Sequence, residues 1–198
     1  MKLGALISGG MNSWFAASST AKIHEIGCII AENSDPIVEL QAKAAELPII
    51  SSESLEKSIE IAQSKYKIEG IVSGIVGSSF QRERLERAAK VLKLELLFPI
   101  WHINEDLYLQ QVMKNFHVII SKISAQGLRK EHLGLRIGLT FPDRMRSLNI
   151  SAVGEDGKYD TIVLNCPLFR KKIVVEKTES IMENDCKGKL VIRRAILI

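Results

Sequence analysis

Length, composition and charge describe an ordinary globular chain and exclude several classes of protein. The 198 residues carry 27 Lys and Arg against 23 Asp and Glu, a net charge of +4, and 46% of them are apolar. Such a chain can bury roughly 70% of its unfolded surface without disulfide bonds or structural metals. The small, scattered charge excess does not suit a nucleic-acid platform, so we expect no direct nucleic-acid partner.

The cysteines and the apolar runs bear on the cellular compartment. Cys28, Cys166 and Cys186 form no C-x-x-C pair, which argues against a disulfide framework and a zinc site. The four histidines lack the spacing of a metal cluster, so we expect no metal bound by clustered side chains. No window reaches the ~18 apolar residues of a membrane span, and residues 1–7 are too short for a signal peptide. We expect a cytoplasmic protein without a membrane partner.

The first half of the chain alternates short apolar runs with stretches of helical periodicity. The predicted strands are residues 3–7, 25–31, 49–50 and 68–73. The predicted helices are residues 13–21, 37–46, 55–66 and 82–94. Ser78 and Gln81 fit a capping box at the start of the last helix. This alternation predicts a Rossmann-like α/β domain with a parallel sheet and right-handed crossovers.

The pattern changes after residues 99–101. We predict a helix at 105–115, a strand at 117–123 and a helical stretch around 133–147. The β-type runs that follow are residues 149–153, 159–164, 172–178 and 190–197, with turn signals at Asp156-Gly157 and Lys187-Gly188. These elements predict a smaller α+β domain, with domains at 1–101 and 102–198.

The strongest local signal is a glycine-rich turn between the first strand and the first helix. Its sequence is Ser8-Gly9-Gly10-Met11-Asn12-Ser13. Unpaired N–H groups and the positive end of the macrodipole suit such a turn to cradle a phosphate. It is not a Walker A loop, because Gly10 stands where the Walker lysine would be needed. The alternative is a turn that only lets the strand and helix pack closely.

Five ordered blocks resemble the diphthine–ammonia ligases, which are PP-loop proteins of the N-type ATP pyrophosphatase class. Residues 8–13 resemble the Ser-Gly-Gly-Lys-Asp-Ser pyrophosphate loop. Residues 78–86 resemble the Tyr-Gln-Arg-x-Arg-x-Glu block, and 154–161 resemble the Gly-Glu-x-Gly-Glu-Phe/Tyr-Glu-Thr block. Pro99-Ile100-Trp101 and Pro167-Leu168-Phe169 stand where the family has Pro-Leu-Trp and Pro-Leu-Phe. The resemblance runs from about residue 2 to residue 197.

The resemblance implies a fold, a reaction and partners. The fold is a HUP-type nucleotide-binding domain followed by a substrate-binding domain. The reaction is ATP-dependent adenylation of the diphthine carboxylate on translation elongation factor 2, after which ammonia displaces AMP to give diphthamide. The implied ligands are ATP, Mg²⁺ and ammonium, and the implied partner is the elongation factor bearing diphthine. A homo-oligomer is compatible with the sequence.

The resemblance also nominates site residues. Those expected to bind nucleotide are Ser8, Gly9, Gly10, Asn12, Ser13, Ser73, Gly74 and Gln81. Arg82 and Arg84 are expected to offset charge that builds during adenylation. Glu155 is the first candidate for an acid contact to substrate or ammonia, and Asp160 is the second. Each set of candidates also has a structural interpretation. The charges at 82–90 are typical of a solvated helix face, and Gln81 could serve only as a helix cap. The Asp-Gly turn is by itself a sufficient reason for the acidic residues near it.

The sequence also departs from the family pattern. Met11 and Asn12 replace the loop lysine and aspartate, Lys158 replaces a glutamate, and Asn165 stands where aspartate is frequent. The segment 32–36 is shorter than the family's loop. A lost charge-assisted hydrogen bond costs roughly 1.5 to 3 kcal/mol, so we expect a weakened magnesium site at Asn12 or at a substrate group.

These departures support a rival hypothesis, a catalytically impaired homologue that acts as a nucleotide- or partner-binding module. Met11 and Asn12 favour this rival. The retained Gln81, Arg82, Arg84 and Glu155 favour the enzyme.

Overall fold

A computed structural model describes residues 1–31 and 35–198 of the chain. The predicted short segment 32–36 therefore lies largely outside the described residues. The described chain divides into two units: Met1–Ile103 with Leu168–Arg170, and Asn104–Pro167 with Lys171–Ile198. Among the described residues, no helix combines the length and the apolar character needed to cross a membrane.

The first unit is built on a parallel five-stranded sheet. Its strands are β1 (Lys2–Leu6), β2 (Glu25–Ile30), β3 (Ile49–Ile50), β4 (Gly70–Ser73) and β5 (Glu95–Leu97). Its helices are α1 (Met11–Thr20), α2 (Pro36–Ala45), α3 (Leu55–Tyr66) and α4 (Ser79–Leu92). The strand order is β3-β2-β1-β4-β5, and each neighbouring pair is parallel. The predicted α/β class is confirmed. β5 was not predicted, and α4 begins three residues earlier than predicted.

Polar side chains begin three of these helices. Asp35 Oδ1 accepts from Ile37 N at 2.9 Å, Ser54 Oγ from Lys57 N at 3.2 Å, and Ser78 Oγ from Gln81 N at 3.5 Å. The serine half of the predicted capping box is thus present. The same helices end at residues in the left-handed conformation, which are Glu46 (φ 56°), Lys67 (φ 56°) and Lys93 (φ 54°).

The core of the first unit joins the sheet to α3 and α4. Ile59 and Ala62 of α3 and Leu85 and Ala89 of α4 are buried in one apolar cluster with the strand residues. Cys28 of β2 belongs to this cluster, and burial raises the pKa of its thiol to about 11. Cys28 is therefore a packing residue, not a reactive thiol.

The second unit is built on an antiparallel sheet. Its elements are α5 (Glu105–Asn115), β6 (His117–Ser124), a 3-10 helix (Lys130–His132), α6 (Phe141–Ser147), β7 (Tyr159–Asn165), β8 (Ile173–Asn184) and β9 (Lys187–Leu197). The strand order is β7-β6-β9-β8. β9 pairs with β8 along its length and with β6 through its first three residues. Beyond those three residues, β8 and β9 continue as a two-stranded ribbon.

The predicted helical stretch 133–147 is wrong over its first half. Gly134 N donates to Ile120 O at 2.8 Å and Ile137 N donates to Val118 O at 2.9 Å, so this backbone runs beside β6. Gly134 and Gly138 weaken any helix here, and regular helix begins only at Phe141.

Two predicted β features of the second unit are also wrong. Residues 149–153 form turns and irregular backbone, so the Asp156-Gly157 turn does not join two strands. Lys187 and Gly188 are the first residues of β9, and the hairpin turn is Asp185-Cys186. Cys186 N donates to Asn184 Oδ1 at 3.0 Å, and this local bond is favoured in a turn.

Candidate active site

The carboxyl edge of the parallel sheet carries most of the predicted site residues. Residues 8–13 follow β1, Ser73 ends β4, and α4 begins five residues after Gly74. The chain leaves β1 toward β2 and β3 on one side and returns to β4 and β5 on the other. Strand order therefore switches between β1 and β4, which is where open parallel sheets bind ligands.

Ser13 holds the glycine-rich loop closed. Its hydroxyl accepts from Ser8 N at 3.3 Å and donates to Gly10 O at 3.0 Å, and it lies 3.4 Å from Ser8 Oγ. Ser13 is buried and Ser8 is exposed. The two serines therefore have different roles: Ser13 shapes the loop, and Ser8 presents a hydroxyl at its surface.

Gly9 takes a conformation that other residues avoid, and a buried glutamine holds it there. Its φ is +90°, in the region that favours glycine. Gln41 Nε2 donates to Gly9 O at 2.9 Å, and Gln41 Oε1 accepts from Trp14 Nε1 at 2.9 Å. Gln41 was not among the predicted site residues. Its one signal is a polar residue beside Val38, Ala42 and Ala45, on the apolar face of α2.

Gly74 is required by close packing. A Cβ atom there would lie 2.5 Å from the carbonyl carbon and oxygen of Asn12 and 2.6 Å from Ser13 N. The loop after β4 is thus pressed against the first turn of α1. This contact brings Ser73 and Gly74 close to Asn12 and Ser13, residues that the sequence predicts to share a nucleotide site.

The first two residues of α1 differ in exposure. Met11 is 2% exposed, whereas Asn12 is half-buried. Gly10 precedes them as the cap residue, and the first turn of α1 contains no acidic residue. The positive end of the helix dipole is therefore not offset by a carboxylate within that turn.

Arg82 packs against two aromatic rings. Its guanidinium carbon is 4.8 Å from the ring centre of Trp101 and 5.3 Å from that of Phe98, and its Nε lies 2.7 Å from Glu86 Oε1. Both rings follow β5 at the carboxyl edge. These contacts fix the guanidinium, since a cation is attracted to aromatic faces. Gln81, next to Arg82, is exposed.

Arg84 contacts the start of α3. Its Nε lies 3.4 Å from Glu56 Oε1, and both side chains are partly exposed. The pKa of Glu56 is lowered, first by a hydrogen bond from its own backbone N–H and then by Arg84. The acidic charge at this position also complements the N-terminal end of α3. Arg84 of α4 therefore links the starts of α3 and α4, which follow β3 and β4 at the carboxyl edge of the sheet.

Asp156 and Lys158 brace a turn in the second unit. Asp156 Oδ2 accepts from Ser151 N at 2.9 Å, and Lys158 Nζ lies 3.3 Å from the same oxygen and 2.8 Å from Asn149 O. Burial opposes ionisation of Asp156, but the backbone N–H groups of Ser151 and Lys158 outweigh it and lower the pKa. Lys158, which replaces a family glutamate, therefore has a structural partner in this chain.

Glu155 and Asp160 flank this brace. Both are exposed. Asp160 Oδ2 lies 3.2 Å from Lys122 Nζ on the neighbouring strand. Between them Tyr159 is buried, and its hydroxyl donates to Ala152 O at 2.7 Å. Asp160 is thus an ion-pair partner, and Glu155 is presented by a turn held in place by Asp156 and Tyr159.

Comparison with known proteins identifies the family. The model of the diphthamide synthase C-terminal domain matches residues 104–198. Diphthine–ammonia ligase of Bos taurus is 30% identical over 225 residues, which covers 90% of this chain and 84% of the bovine protein. This chain belongs to the diphthine–ammonia ligase family. The family predicted from the five sequence blocks is thereby confirmed.

Two further members of the diphthine–ammonia ligase family set the extent of the similarity. The Homo sapiens protein is 29% identical over 230 residues, covering 93% of this chain and 86% of the human protein. The Rattus norvegicus protein is 36% identical over 137 residues, covering 67% of this chain and 51% of the rat protein. In that match this chain spans about half the length of the rat relative.

Proposed function

We propose that this chain is an ATP-dependent amide ligase of the diphthine–ammonia ligase type. It would adenylate the diphthine carboxylate on translation elongation factor 2 and form diphthamide with ammonia, releasing AMP and pyrophosphate in the cytoplasm. Family membership supports the ligase class, because the curated relatives carry that name. The observation that carries the proposal is the glycine-rich loop at the strand-order switch, packed against Gly74.

The loop is suited to a pyrophosphate group. Gly9 is buried and shapes the loop, and Gly10 presents partly exposed backbone without a side chain. The dipole of α1 places partial positive charge beside them. Ser8 adds an exposed hydroxyl. Ser13, Ser73 and Gly74 shape this surface, and Gln81 lies within the first turn of α4 at the same edge.

Arg82 and Arg84 would stabilise negative charge during adenylation. ATP with Mg²⁺ supplies the electrophilic phosphorus and the pyrophosphate leaving group. Arg82 is held by Trp101 and Phe98, so little reorganisation is needed when charge develops. The half-exposed Arg84 brings a second cation to the edge.

Asn12 would contribute to holding Mg²⁺. Within residues 1–31 and 35–198, no group of three His, Cys, Asp or Glu side chains could hold a metal ion. Magnesium is commonly bound through substrate phosphates with one or two protein oxygens. The Asn12 amide oxygen fits that limited role, with lower affinity than a carboxylate.

Glu155 would receive the ammonium ion. A carboxylate attracts the cation and can take the proton that is lost when ammonia becomes a nucleophile. Asp160 is the second candidate, because its carboxylate is already close to Lys122.

Met11 favours a second candidate function, nucleotide or partner binding without ligase activity. Its side chain is buried at the position where the family loop carries lysine. A chain with this substitution lacks the cation that would contact the phosphates.

Pyrophosphate release and calorimetry distinguish these proposals. The assay contains ATP, Mg²⁺, ammonium and elongation factor 2 bearing diphthine. We expect ATP-dependent release by the wild type and its loss in Gly9→Val, because valine is strained at φ +90°. Gly138→Val is the matched control, since a Cβ at Gly138 meets no atom within 4 Å.

Three outcomes decide between the candidates. Saturable ATP binding without turnover by the wild type would favour the binding module. Undiminished ATP binding by Gly9→Val would place the nucleotide elsewhere. Absence of ATP binding by the wild type would reject the ligase and the nucleotide-binding module and leave only partner binding.

A further inference from the structure

Gln41 is a buried amide in α2 whose two polar atoms both contact the segment that follows β1. The residue is 0% exposed. It donates to Gly9 O and accepts from Trp14 Nε1, each at 2.9 Å. A buried amide in a helix is costly unless its hydrogen bonds are made, so this arrangement specifies one conformation of the loop.

The bond to Gly9 O fixes the direction of the next N–H group. In a trans peptide, the carbonyl oxygen and the following N–H point to opposite sides. Because Gly9 O points toward α2, the N–H of Gly10 points away from it. Gly10 is the cap residue of α1 and is partly exposed. Gln41 thereby orients a donor at the positive end of this helix.

Trp14, which donates to the Gln41 amide oxygen, is itself held by an aromatic contact. The Trp14 ring meets Phe169 edge to face, with ring centres 4.7 Å apart. Arg170 N, next to Phe169, donates to Ala44 O at 2.7 Å. Residues 168–170 therefore link α1 and α2. The orientation of Gln41 is determined by its bond to Trp14 at one amide atom and by its bond to Gly9 at the other.

We infer that Gln41 is a positioning residue for phosphate binding. By holding the Gly9 carbonyl, it turns the Gly10 N–H so that this group donates to a phosphate oxygen of the bound nucleotide. This inference rests on the proposed nucleotide binding and adds the residue that orients the donor.

Two substitutions separate this role from simple packing. Gln41→Glu preserves shape and still accepts from Trp14, but as a carboxylate it repels Gly9 O. On protonation the same side chain can donate to Gly9 O, and burial raises the pKa of a carboxyl group toward neutrality. Gln41→Met keeps the length without any donor. Gln63→Glu is the matched control, because Gln63 of α3 donates from Nε2 to Leu92 O of α4 at 2.8 Å.

The test is calorimetric titration with magnesium ATP and with inorganic pyrophosphate, using full-length chains that melt cooperatively. We expect affinity to fall about 10-fold or more in both Gln41 variants, through loss of one charge-assisted bond, and to stay unchanged in Gln63→Glu. Relative to wild type, the deficit of Gln41→Glu should shrink as pH falls from about 8 to about 6, and that of Gln41→Met should not. The Gly10 amide proton should shift on adding ATP in wild type and Gln63→Glu only.

Several results would overturn the inference. Unchanged affinity in both Gln41 variants would do so, as would an equal loss in Gln63→Glu or unfolding of both Gln41 variants. A wild type that binds neither probe would instead reject the proposed nucleotide binding, and that result is visible before any substitution is made.

Discussion

The position of a Cβ atom on Gly74 lies 2.5 Å from the carbonyl oxygen of Asn12. Gly74→Ala must therefore separate the loop after β4 from the first turn of α1. We expect the free energy of unfolding to fall by about 1 to 3 kcal/mol and ATP affinity to fall with it. Urea denaturation and calorimetry measure both. Gly138→Ala, with open space around the new methyl group, should leave both within error.

Neighbouring residues of α4 should separate stability from function. Leu85 is 1% exposed, so Leu85→Ala should lower the free energy of unfolding by about 2 to 5 kcal/mol. Arg84 is half-exposed, so Arg84→Ala should change it by less than about 1 kcal/mol while reducing pyrophosphate release. Thermal melts and activity assays on both variants test this, and a large melting shift for Arg84→Ala would make the residue structural.

Restoring the family's residues at Asn12 and Met11 should have different effects on ATP affinity and stability. Asn12→Asp adds an anionic oxygen beside the loop, and we expect magnesium-dependent ATP affinity to rise about 10-fold. Met11→Lys places an ammonium at a position that is 2% exposed, and we expect a lower melting temperature. Calorimetry with and without Mg²⁺ checks the first change. Equal affinity in Asn12→Asp would argue against Asn12 as a magnesium ligand.

Asp156 should make the stability of the second unit depend on pH. Its pKa is lowered from the ordinary 3.8, because backbone N–H groups and Lys158 outweigh burial. The stabilisation is therefore present above the unfolded-state pKa and is lost as pH falls through the lower folded-state pKa. We expect Asp156→Asn to cost roughly 1 to 2 kcal/mol at pH 7 and progressively less as the pH falls through the lowered pKa of Asp156.

Denaturation at several pH values measures this difference. Asp160→Asn is the control, because an exposed ion pair contributes at most about 1 kcal/mol. A pH-independent cost for Asp156→Asn would mean that its charge does not matter.

The sequence predicted the elements whose signals are local. Helices Leu55–Tyr66 and Glu105–Asn115 were placed correctly, because Ser54 and Asn104 cap them and apolar residues recur with helical spacing. The turn before β9 was misplaced, because Gly188 signals a turn as strongly as Asp185-Cys186 does. The role of Gln41 could not be predicted, since its bond to Gly9 spans 32 residues and depends on how α2 packs.

The left-handed ends of α2, α3 and α4 are positions where stability can be gained far from the proposed nucleotide site. Each helix returns the chain between parallel strands, so its carboxyl end lies at the amino edge of the sheet, opposite the loop 8–13. Glycine at Glu46, Lys67 or Lys93 would relieve roughly 1 to 2 kcal/mol of strain and lose part of that gain to the more flexible unfolded chain. We expect each change to raise the melting temperature by a few degrees with ATP affinity unaltered. The fold can therefore be stabilised at the amino edge of the sheet without changing the carboxyl edge, where the nucleotide site is proposed.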